Sequence, residues 1–164
     1  MARYDTSKVE ILVFTFKEGL LSTVAHDLKL RVTRGTIDVD EREAKCELEA
    51  ASLSLVCPMK DGHENPTAIP RLMYGEVEKN AHREVLDVIR HPTIRFASTK
   101  VSESEIVGQL TLHGQTREVR GRRNGNQAEF SIDQRDFGIK PFSAMLGTLK
   151  VKPVVTVRAT LTGA

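Results

Sequence analysis

The chain has 164 residues, 40% apolar and 28% charged, which bounds it to one domain spanning 1–164 with a sizeable core and excludes a disordered chain. A formal net charge of +2 is too small to imply nucleic acid or an anionic membrane surface as partner, and no Trp with two Tyr leaves little for stacking bases or sugars. No apolar run approaches the length of a membrane span, so stable membrane insertion is not expected.

The start, Met1-Ala2-Arg3-Tyr4-Asp5, lacks the basic, apolar and small-residue succession of a signal peptide. A cytoplasmic location is expected, or a periplasmic one if the natural chain begins earlier. Val9 to Phe16 reads as a strand apolar on both faces, with Val9, Ile11, Val13 and Thr15 on one and Leu12, Phe14 and Phe16 on the other. Lys17-Glu18-Gly19 turns the chain, and Leu20 to Asp27 suits a short helix as well as an extended segment. Leu28, Leu30 and Val32 then alternate with Lys29, Arg31 and Thr33, a strand with one dry face. Gly35 marks a turn or bulge before a strand at Thr36–Asp40. Cys46, Leu48 and Ala50 open another half-buried strand that runs on to Val56.

Pro58 to Pro70, with three prolines and a glycine, reads as one long loop. Tyr74 to His91 reads as the single helix, its buried stripe made by Val77, Ala81, Val85, Val88 and Ile89, and Pro92 stops it. From His91 to Gly121 the pattern is clearest. Ile94, Phe96 and Ser98 share one strand face; the chain turns at Ser102–Glu105, and Gly108, Leu110 and Leu112 share a face on the way back. Gly114 makes a tight turn into a strand that closes at Asn124-Gly125, a strong hairpin signal. Ala128, Phe130 and Ile132 follow on one face. Pro141 to Gly147 is loop; Leu149 and Val151 begin a strand, and Val155, Val157, Ala159 and Leu161 line the last.

The sum is an all-β, mainly antiparallel fold: a barrel of about eight strands with one α-helix and a long loop. A barrel of that size either packs its own side chains or holds one small ligand. The inward apolar set is expected to include Phe14, Phe16, Leu28, Leu30, Ile94, Phe96, Leu110, Leu112, Phe130, Phe137, Val155 and Val157. Burial stabilises both versions alike, so these residues leave the choice open.

Chemistry-bearing residues are few. His26-Asp27 suggests an acid–base pair, yet neighbours on a strand point to opposite faces, so Asp27 would not orient His26. Among His26, His63, His82, His91 and His113 no two stand at the helical or short-loop spacing metals prefer; no metal or cofactor is expected, with a metal site assembled from distant positions as the alternative. Cys46 and Cys57 are expected as free buried thiols unless their strands lie side by side. Arg117, Arg120, Arg122 and Arg123 read as a solvated face, with an arginine at the strand end as an alternative anion contact.

Several segments resemble one family. Ala81-His82, His91–Phe96, Ser98–Val101, Gly108–Thr116 and Arg135–Ile139 are similar to the YceI-like family, and the likeness runs from about Tyr4 to Leu161. The resemblance implies an extended lipocalin-like β-barrel that binds a polyisoprenoid, isoprenoid quinone or fatty-acyl lipid without catalysis, and a homodimer. It implies a tunnel lined by Phe14, Phe16, Leu28, Leu30, Ile94, Phe96, Leu110, Leu112, Phe130 and Phe137. His26, His82, His113 and Arg135 are the head-group candidates. Two departures stand out: many members carry a leader, and Pro58–Pro70 is longer and more polar than the common pattern. The rival readings are an enzyme that modifies the lipid with His26 or His82 as acid–base residue, and an interaction protein with a filled barrel.

Overall fold

The computed structural model describes residues 1–18, 25–144 and 149–162. In chain order its strands are β1 (Ala2–Asp5), β2 (Val9–Thr15), β3 (Asp27–Val32), β4 (Gly35–Val39), β5 (Ala44–Glu49), β6 (Leu53–Lys60), β7 (His63–Glu64), β8 (Thr93–Val101), β9 (Glu105–Leu112), β10 (Gln115–Asn124), β11 (Gln127–Asp133), β12 (Ser143–Ala144), β13 (Leu149–Lys150) and β14 (Val154–Leu161). Twelve of them form one antiparallel sheet in the order β1-β4-β5-β8-β9-β10-β11-β14-β2-β3-β6-β7, curled into a half-barrel; β12 and β13 pair separately. The last long strand, β14, returns beside the first, β2, pairing Val157 with Val13 and Leu161 with Val9. Register shifts at Lys29/Leu30 and Ser98/Lys100 add the local bend that curling requires.

The sheet thus has twelve strands where about eight were expected. The strands β1 and β7 were not expected, and a further one comes from Ser52. Its hydroxyl donates to the Glu49 carbonyl (2.7 Å) and accepts from the Thr33 and Arg34 amides (3.2 and 3.0 Å). This fixes a tight turn at Ala50–Ser52 that splits the run Cys46–Val56 into β5 and β6, which lie far apart in the sheet. The separation also keeps Cys46 and Cys57 as free thiols. The expected loop from Pro58 is likewise shorter, because Asp61 and Gly62 take φ of 52° and 80° and reverse the chain into β7.

The helix is also shorter than its apolar stripe suggested. A 3-10 turn at Arg71–Met73 leads into α1 (Tyr74–Asn80), and a π-helical turn at Ala81–Val85 follows. Asp87 then takes φ of 48°, a left-handed value that ends the helix well before Pro92. Ile89, expected in the buried stripe, is exposed in consequence. Most of the segment Leu20–Asp27 and the end of Pro141–Gly147 lie outside the described residues.

Two apolar clusters hold the half-barrel together. Val9, Ile11, Val32, Ile37 and Leu48 form one; Leu110, Ile132, Phe137, Ile139 and Val155 form the other, with Val85 and Leu86 of the helical segment packed on it. That contact sets the helical segment across the concave side of the sheet. No helix among the described residues is long and apolar enough to cross a membrane.

Candidate ligand-binding site

Although Ile37 and Leu48 meet Val9, Ile11 and Val32 across the curled sheet, its inward side chains leave space between them. They enclose a cavity of about 1000 Å³, at the upper end of the roughly 300–1,000 Å³ usual for ligand pockets. Its wall is built by alternation. Ile11 and Val13 of β2, Leu28 and Leu30 of β3, Cys46 and Leu48 of β5, and Leu110 and Leu112 of β9 all face it. Val77, Ala81, Val85 and Leu86 of the helical segment cover the concave side. Burial pushes the Cys46 thiol up to about 12, so it stays protonated and serves as a small apolar wall group.

Polar groups gather at the cavity's edges. Asp40, Glu41 and Lys45 from around the β4–β5 turn, with Arg123 and Asn126 from the β10–β11 turn, stand at a rim open to solvent. Arg123 is held there by bonds to the Ser102 and Gly125 carbonyls, both 3.1 Å. Where β2 ends and β3 begins, Thr15 and half-buried His26 reach the wall. The Thr15 hydroxyl is buried with no hydrogen-bond partner among the described residues. Such a group invites a polar atom from outside the protein.

Of the expected tunnel residues, Leu28, Leu30, Ile94, Phe96, Leu110, Leu112 and Phe130 line this cavity. Phe14 and Phe16 do not. They lie in a shallow outer groove with Lys29, Glu64 and Arg158, and the Arg158 guanidinium sits 4.9 Å over the Phe14 ring. Val13 and Thr15, on the other face of the same strand, take their place. Phe137 is only 1% exposed and packs in the core behind the wall.

The head-group candidates are dispersed. His26 lines the cavity. The Nε2 of His82 lies 2.7 Å from the Leu53 carbonyl, which ties the helical segment to β6. His113 sits in the β9–β10 turn with its Nδ1 3.2 Å from the Phe137 carbonyl. Arg135 pairs with Asp133 at 2.7 Å on the surface, and this holds the Asp133 carboxyl below its ordinary range. Away from the cavity wall, Asp87 and His91 come together with His113. Spacing along the chain does not point to them: His91 and His113 are distant in sequence, and Asp87 and His91, four residues apart, lie on a turn.

The YceI-like domain model matches residues 4–163. Among solved structures, Burkholderia cenocepacia BcnA is similar at 15% identity, covering 94% of this chain and 96% of its own, with a TM-score of 0.58. A polyisoprenoid binding domain from Saccharophagus degradans, implicated in plant cell wall breakdown, is similar at 12% identity, covering 96% of this chain and 93% of its own, with a TM-score of 0.54. At these identities the likeness establishes the shared fold. No curated protein matches the chain.

Proposed function

This chain belongs to the YceI-like domain family, and from that premise we propose that its cavity binds a polyisoprenoid or other long-chain amphiphilic lipid, as carrier or store and without converting it. The observation that carries the reading is the cavity: about 1000 Å³ of space walled by aliphatic and aromatic side chains that a well-packed core would have closed. Affinity comes from burying the tail, at about 25 cal/mol per Å² of apolar surface removed from water. The tail lies along Val13, Leu30, Leu110 and Phe130. The head group sits beside His26, where the Thr15 hydroxyl, without a partner among the described residues, gains one. His82 serves as a structural tie, through its contact with the Leu53 carbonyl. We also propose that two copies associate, because β1 and β7 end the sheet with no further strand paired to them among the described residues.

Native mass spectrometry of freshly purified protein, followed by organic extraction, tests this reading. The expected result is an isoprenoid or acyl species in stoichiometric amount, on a species of twice the 18.3 kDa chain mass. A lipid-free mass, together with no uptake of polyprenyl phosphate or ubiquinone, would overturn the lipid reading. A bare monomer mass would overturn the dimer.

A further inference from the structure

Asp87, His91 and His113 each offer one metal-ligating atom, and the three atoms all lie within 4.8 Å of one another. None of the three residues lines the lipid cavity. Asp87 and His91 flank the turn that leaves the helical segment, whereas His113 belongs to the β9–β10 turn, so two separate pieces of the fold meet here.

The local backbone is bent to bring them together. Asp87 and His113 take φ of 48° and 54°, the left-handed region that residues other than glycine enter at a cost. The His91 ring is seated on Gly114, where a Cβ would come within 2.8 Å of its Cε1 and 3.0 Å of its Nδ1. Any other residue at 114 would push the imidazole out of place. The His91 and His113 rings lie 4.6 Å apart, tilted by 56°, so they do not stack face to face.

Hydrogen bonding completes the pattern. With Nδ1 of His113 3.2 Å from the Phe137 carbonyl, that nitrogen carries the proton and donates, and Nε2 keeps its lone pair. A ring N–H bound to a backbone carbonyl is the outer-shell support usual for a metal-ligating histidine. Among the described residues Asp87 has only the exposed Arg90 as charge partner, at 3.7 Å, a contact weak enough to be displaced.

We propose that Asp87, His91 and His113 form a binding site for a divalent transition-metal ion of the zinc class. Two imidazoles and one carboxylate suit such an ion, whereas magnesium and calcium prefer oxygen donors throughout. Metal–ligand bonds of about 2.0–2.2 Å place tetrahedral donors roughly 3.4 Å apart. Small side-chain rotations bring the three atoms to that spacing, and water takes the fourth position. The ion ties the end of the helical segment to the β9–β10 turn, and so closes one side of the cavity covering. The site stands whether or not the cavity holds a lipid.

The test titrates the full chain with Zn²⁺ by calorimetry, using wild type, Asp87→Asn and His91→Gln. Asparagine tolerates the left-handed conformation, so Asp87→Asn removes the charge while keeping the turn. Wild type is expected to bind one Zn²⁺ and to melt at a higher temperature with it. Each variant is expected to lose at least the roughly 10–100-fold in affinity that removal of even an outer-shell partner costs. No binding by wild type, or unchanged binding in both folded variants, would overturn the site. Should a variant fail to fold, Co²⁺ added to wild type decides: paramagnetic shifts centred on His91 and His113 are expected, and shifts centred elsewhere overturn the proposal.

Discussion

Gly108 and Gly121 sit on adjacent strands, and the rings of Phe96 and Phe130 fill the space that their missing side chains leave. A Cβ on Gly108 would come to 2.5 Å from Phe96 Cζ and from the Ala97 carbonyl, and one on Gly121 to 2.7 Å from Phe130. The two rings lie nearly edge to face, 5.8 Å between centroids, and both line the cavity. These glycines therefore set where the aromatic wall stands. Gly108→Ala is expected to destabilise the protein by about 1–3 kcal/mol through overpacking, measured by urea denaturation; an unchanged midpoint would show that the ring has room to move. Phe96 and Phe130 were readable as inward residues from strand alternation. The supporting role of the glycines was not, because no local pattern ties residue 96 to residue 108.

Strand β2 shows why the face of an element is harder to read than its existence. Its run of apolar residues marks a strand, but both faces are apolar, and the aromatic face was the wrong choice for the cavity. The neighbours decide it. Leu12 pairs with Arg31 and Phe14 with Lys29, whereas Ile11 pairs with Val32 and Val13 with Leu30. Side chains directly opposite share a face, so Leu12 and Phe14 lie with charged groups on the outside. Long Arg and Lys stems then cover the outward apolar residues. Val13→Trp is therefore expected to abolish uptake of a polyprenyl probe by filling the cavity, while Phe14→Ala leaves uptake intact; fluorescence titration of both variants checks this. Equal loss in both would place the lipid elsewhere. The helical segment fails differently, since its periodicity continues through Val88 and Ile89 although Asp87 has already turned the chain.

At the scale of the whole molecule, several surface carboxyls are held in their charged form by a neighbouring cation. The Glu105 carboxyl lies below its ordinary range because it accepts from Arg120 at 2.8 Å and lies 3.3 Å from Lys100. Asp38 beside Arg3, Glu64 beside Lys29 and Asp133 beside Arg135 are lowered in the same way. A lowered carboxyl contributes stability above its unfolded pKa and loses it as pH falls through the folded value. Glu105→Gln is thus expected to melt below wild type at pH 7, with the gap closing as pH drops below the ordinary Glu value of about 4.3. Thermal melts from pH 7 to pH 2 measure it, and a constant gap would assign the loss to packing. The sequence by itself determined the class of fold, most of the long strands, the hairpin turns and the family resemblance, because alternation and turn chemistry act over a few residues. Only the tertiary structure decided the count of strands, the cavity face of β2, and the meeting of Asp87 and His91 with His113. Those depend on pairing between distant segments, through one serine turn, one cross-strand register and two left-handed residues, and spacing along the chain does not encode distance in space.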